Sequence, residues 1–138
     1  MVAATRLTAT LFLAVLTTAA ACSKMQPILN VEGHPLPPGA ATLSLEEIGQ
    51  RIAYGAARGY WHTESVAPGR MTASFDDGRH QATVDIIYDQ TAYSITLASS
   101  TNLHQEGDEI DKRYDKWIRG LEKDIDRSLE RTVSGARS

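Results

Sequence analysis

The sequence predicts an α+β fold, a two-layer sandwich in which two helices cover one face of a four-stranded antiparallel meander. Three observations predict it. A capping box opens an amphipathic helix at Leu45, four segments rich in alternating apolar and polar residues follow between turn signals, and the chain closes on its longest helical periodicity. The order is α-β-β-β-β-α.

The first helix is read over residues 45–58. Ser44 and Glu47 stand at the two positions of a capping box, each able to satisfy an orphan backbone N–H. Leu43 and Ile48 form the flanking hydrophobic staple. Leu45, Ile48, Ile52 and Ala56 recur at helical spacing, and Gly59 suits the position after the last turn. A first strand is expected from Tyr60 to Val66, ended by Pro68-Gly69. Met71, Ala73 and Phe75 then share one strand face, and Asp76-Asp77-Gly78-Arg79 is a hairpin turn with glycine supplying positive φ. Ala82, Val84, Ile86 and Tyr88 repeat the alternation, as do Tyr93, Ile95 and Leu97 after a turn at residues 89–91. One apolar and one polar face is the pattern of a sheet covered on one side.

Residues 99–107 read as a loop. The last helix carries Ile110, Tyr114, Trp117, Ile118, Leu121, Ile125 and Leu129 on one stripe, with Asp108 and Asp111 at its positive N-terminal end. Its other face interleaves charge, as in Arg119/Glu122 and Lys123/Asp126 at i,i+3. Gly120 is the odd residue there, and the expectation is that it lets the helix approach the sheet closely.

Ahead of the domain lie two further segments. Arg6, the apolar run Leu7–Leu16 and the small residues up to Ala21 have the layout of a cleaved secretory signal, residues 1–21. Ala19-Ala20-Ala21-Cys22 resembles a bacterial lipobox, which makes Cys22 the lipid attachment residue, with covalent acyl chains as its only cofactor-like group. An ordinary cut after Ala21 suits the same residues and would leave an unlipidated chain. The apolar stretch is short of the roughly 20 residues a spanning helix needs. Residues 22–42 hold four of the five prolines and read as a Pro/Gly-rich tether, interrupted by Ile28, Leu29 and Val31 with the pattern of a short edge strand. The globular domain is then 43–134 and the flexible tail 135–138.

Composition narrows the function classes. Without residues 1–21 the chain keeps 117 residues, one domain's length, and loses one base and no acid, so its net charge moves from −3 to −4. That balance argues against nucleic acid held by bulk charge. One cysteine excludes an internal disulfide. The histidines, at 34, 62, 80 and 104, lack the spacing of a helical zinc motif, and His62/Glu64 is matched equally well by an exposed polar strand face, so no metal site is assigned. No nucleophile elbow and no phosphate-cradling glycine loop is present, and the carboxylate pairs Asp76-Asp77 and Asp108-Glu109 read as a turn and a helix start. No catalytic residue is assigned, and the balance leans away from an enzyme. Tyr114 and Trp117 fall on the core stripe. Tyr60 and Trp61 alternate to opposite faces of the first strand, so with His62 they are the candidate surface for a partner, a protein or a glycan.

Short patterns across most of the mature chain resemble a family of small uncharacterised proteobacterial lipoproteins. They are Ala20-Ala21-Cys22, Pro27-Ile28-Leu29-Asn30-Val31, Arg58-Gly59-Tyr60, Val84-Asp85-Ile86, Tyr93-Ser94-Ile95, Ser100-Thr101-Asn102-Leu103 and Tyr114-x-x-Trp117. The resemblance implies export and anchoring, and Ser23 after the cysteine implies sorting to the outer membrane, facing the periplasm. It implies no activity. The resulting expectation is a lipid-anchored binding or assembly module of the cell envelope, with membrane contact through the lipid. The alternative is an envelope enzyme or small-ligand carrier with a pocket between sheet and helices.

Overall fold

The computed structural model describes residues 24–135, with side chains up to residue 131. The signal segment, Cys22 and residues 136–138 lie outside them. The fold is α+β: two helices lie on one face of an antiparallel sheet. Strand β1 is Met25–Pro27 and β2 is Val31–Pro35. A 3-10 turn at Ala40–Thr42 leads to helix α1, Leu45–Arg58. Strands β3 (His62–Ala67), β4 (Arg70–Asp76), β5 (Gln81–Tyr88) and β6 (Ala92–Thr101) follow, then β7 (Glu109–Asp111) and helix α2 (Arg113–Gly135). The sheet order is β2-β6-β5-β4-β3, so the expected four-strand meander gains a fifth strand at its β6 edge; β1 and β7 form a separate ribbon.

Helix α1 has the expected bounds because its ends are specified locally. The Ser44 hydroxyl accepts from Glu47 N–H at 3.1 Å and Glu47 Oε2 accepts from Ser44 N–H at 2.8 Å, a closed box that contributes about 1 kcal/mol. At the other end Tyr60 N–H donates to Ala57 C=O and Trp61 N–H to Ala56 C=O, both at 3.0 Å, a Schellman motif. The left-handed residue of that motif is Tyr60 (φ 66), not Gly59 (φ −92). Gly59 is small for another reason: a Cβ there would lie 2.9 Å from Asp124 Oδ2. The corner consumes Tyr60 and Trp61, so the first strand of the hairpin starts at His62.

The tether reading of residues 22–42 is corrected over residues 25–42. Met25 to Pro27 pair with Asp111 to Glu109, Ile28 N–H donates to Asp108 C=O at 2.8 Å, and Leu36 N–H donates to Thr91 C=O at 2.9 Å. Val31 and Ala40 are buried, and Ile28, Leu29, Leu36 and Leu43 pack against the core. Pro27 and Pro35 end strands here instead of keeping the chain extended in solvent.

Three more expectations shift. Strand β6 runs on to Thr101, into the segment read as a loop. Ile110 is buried in β7 rather than on the last helix, because the Asp111 carboxylate accepts from Arg113 N–H at 2.9 Å and starts α2 there. Gly120 faces open space, and the close approach is made elsewhere, at Gly55, where a Cβ would sit 2.6 Å from the Asp124 carbonyl oxygen on α2. The alternation itself holds. Met71, Ala73, Ala82, Val84, Ile86, Tyr93 and Ile95 line the buried face against Ile48, Ile52, Ile118, Leu121 and Ile125.

Candidate functional site

The structure separates the three residues expected to form a partner surface. Tyr60 is 87% exposed on the left-handed corner. Trp61 is buried with its ring tilted 40° against Phe75, which meets Trp117 edge-on at 4.7 Å between centroids. Trp61 is thus mainly core, reaching the surface only where it lines a shallow concavity with Phe75 and Trp117. The cause is the Schellman motif, which places Trp61 against the helix it follows. His62 is exposed on the uncovered face of β3, with its Nε2 3.9 Å from Glu64 Oε1. They share a stretch of chain but not a surface. Cys22 lies outside the described residues.

A groove of about 620 Å³ lies between α1 and the β3–β4 hairpin. Leu45, Gly49 and Ala53 give the α1 wall at helical spacing; Thr63, Ser65 and Ala67 give the β3 floor at strand spacing, with Met71 and Tyr88 behind. It exists because β3 is an outermost strand that α1 covers only in part: of its residues only Thr63 is even half-buried. Its lining is mostly apolar and holds no histidine, cysteine, lysine or aspartate; Glu46 is its one carboxylate. Nothing in it pairs a nucleophile with a base. The sequence shows the wall and floor residues only as ordinary helix and strand positions, so the groove itself had no signal.

Two polar clusters stand apart from the groove. In the first, His34 Nε2 lies 3.0 Å from Asp126 Oδ2, and His34 Nδ1 lies 3.8 Å from Glu122 Oε1. The Tyr93 hydroxyl donates to Asp126 Oδ1 at 2.8 Å. Burial first, then the carboxylate it donates to, pushes that hydroxyl far above the ordinary phenol range. His34 comes from β2, Tyr93 from β6, and Glu122 and Asp126 from successive turns of α2. Sequence inspection missed this set. Its one legible part is the i,i+4 spacing of Glu122 and Asp126, which in sequence is indistinguishable from surface charge.

In the second cluster, Asp77 Oδ1 accepts from the backbone N–H groups of Arg79 and His80, at 2.9 and 2.8 Å, and meets His80 Nδ1 at 3.0 Å. Arg113 Nη1 donates to His80 Nε2. An arginine can only donate, so Nε2 carries the lone pair and Nδ1–H points at Asp77. Both ring nitrogens are engaged. The cluster ties the β4–β5 turn to the start of α2. The two backbone N–H bonds hold the Asp77 carboxyl down at about 2.

No helix among the described residues is long and apolar enough to cross a membrane. In comparisons with known proteins, no family model, no curated protein and no solved structure matches the chain.

Proposed function

We propose that the protein is a lipid-anchored binding or assembly module of the cell envelope, sorted to the outer membrane and facing the periplasm, that works without catalysis. On this reading Cys22 carries the acyl chains. Each buried methylene contributes about 0.8 kcal/mol, so two or three chains give lasting attachment. The apolar groove beside β3 is the observation that carries the binding role. It adjoins a strand that has a neighbour on one side only, and an outermost strand offers alternate unpaired N–H and C=O groups.

The occupant that fits is an extended apolar segment of an envelope protein. Added as a sixth strand along β3, it gains main-chain hydrogen bonds, and every second side chain drops between Ala53 and Ser65. The opposite edge fits such a partner less well: both edge strands carry a register shift, but β2 is shorter and closed by Pro35. A small-ligand carrier is the second reading, favoured by the groove's volume.

Fluorescent heptapeptides of alternating apolar and polar residues test the groove. Wild type is expected to bind the apolar members, and Ala53→Trp, which fills the groove from a partly exposed helix position, to weaken them by about tenfold or more. Equal affinity in Ala53→Trp sinks the groove as the site. The anchor is tested separately by intact mass and membrane fractionation of wild type beside Cys22→Ser. An acylated mass starting at Cys22 is expected, lost in the variant together with membrane association.

A further inference from the structure

We propose that His34, Glu122 and Asp126 bind a divalent first-row transition metal, for which Zn²⁺ is the reference ion, and that the ion joins strand β2 to helix α2. One imidazole and two carboxylates form a donor set suited to such ions. One ligand atom from each of the three lies within 4.8 Å of the others. Ligands held about 2.1 Å from a tetrahedral ion sit roughly 3.5 Å apart. Asp126 faces His34 Nε2 and Glu122 faces Nδ1, so one ring nitrogen takes the ion and the other carboxylate swings to meet it.

Three features of the surroundings favour an ion over a bare ion pair. His34 faces α2 because of an extra residue in β2: Val31 is opposite Ile95 and His34 is opposite Tyr93, so three steps on β2 match two on β6. Gly33 absorbs that step at φ 57 and donates its N–H to Ser94 Oγ at 2.9 Å. Plain alternation would put Val31 and His34 on opposite faces; the bulge puts both on the covered one. The Tyr93 hydroxyl holds Asp126 Oδ1, which leaves Oδ2 directed at His34 Nε2, the outer support a ligating carboxylate needs. Finally, among the described residues no lysine or arginine lies within 4.0 Å of either the Glu122 or the Asp126 carboxylate. Two carboxylates therefore face one imidazole with no arginine or lysine paired to either of them.

The test uses the full chain carrying Cys22→Ser, which is neither acylated nor able to offer a thiol to the ion. After chelator treatment the protein is titrated with ZnCl₂ by calorimetry and with CoCl₂ by visible absorption. Saturable 1:1 binding is expected, with a rise in Tm on Zn²⁺ and none on Mg²⁺. His34→Gln and Asp126→Asn should each weaken Zn²⁺ by about tenfold or more with the far-UV spectrum unchanged. Glu122→Gln, at a partly exposed position, serves where His34→Gln fails to fold. Absence of saturable binding below ~1 mM Zn²⁺ overturns the site and leaves a His–carboxylate contact that only tethers β2. Unchanged affinity in the folded variants overturns it equally, as adventitious binding elsewhere.

Discussion

Tyr114 and Asp77 are two polar residues that the fold treats oppositely. Tyr114 is fully buried on α2, and its hydroxyl has no hydrogen-bond partner among the described residues. An unpaired buried hydroxyl forfeits its water bonds, a cost of about 1–3 kcal/mol. Tyr114→Phe is therefore expected to leave stability unchanged or raise it by about 1 kcal/mol in urea denaturation. Asp77 is exposed but accepts two backbone N–H bonds in its turn, which hold its carboxyl at about 2, below the usual 3.8. A carboxyl lowered on folding stabilises the protein at pH values above its unfolded value. That contribution disappears as pH falls from about 4 towards 2. Asp89, bonded by Thr91 and Ala92, and Glu47, bonded by Ser44, are lowered in the same sense. The denaturation midpoint should drop across that window, and Asp77→Asn, which keeps the acceptor without the charge, should make the drop shallower.

At the scale of elements, the two helices meet where a side chain is missing. The Gly55 Cα faces the Asp124 and Ile125 backbone of α2, and Ser128 Oγ donates to the Arg51 carbonyl at 2.7 Å nearby. Gly55→Ala forces two backbones apart and is expected to cost about 1–3 kcal/mol. Gly120→Ala meets nothing within 4 Å and should instead stabilise by about 0.5–1 kcal/mol, read from the same melting curves. The sequence made Gly120 the conspicuous glycine because helix periodicity shows which face a residue takes, not which helix crosses it. For the same reason, Ser44 and Glu47 were enough to place the start of α1, where everything needed lies within four residues. The corner at Tyr60 was not legible: a tyrosine at positive φ opposes local preference, and only the burial of Trp61 explains it.

For the whole molecule, the first described segment, residues 24–42, decides how the domain is bounded. Four prolines from Pro27 to Pro38 give it the composition of a spacer, although Ile28, Leu29 and Val31 carry the pattern of an edge strand. Their partners lie more than sixty residues away, at Ile95 and Asp108, which no local pattern discloses. Deleting residues 24–35 should lower stability by several kcal/mol or prevent folding, since each buried aliphatic side chain contributes about 1.5–3 kcal/mol. A free tether would be lost without effect on Tm. The groove and the His34 cluster were hidden for a related reason. Each depends on how two elements distant in sequence sit against one another: α1 against an outermost strand, and β2 against α2.

The central claim is that β3 and its groove receive an extended apolar segment. Amide hydrogen exchange, with and without the tightest apolar heptapeptide, tests it most directly. Slowed exchange confined to His62–Ala67 and the facing turns of α1, with β2 unchanged, is the result predicted. Peptide bound with no added protection along β3, or with protection at β2 instead, would contradict it.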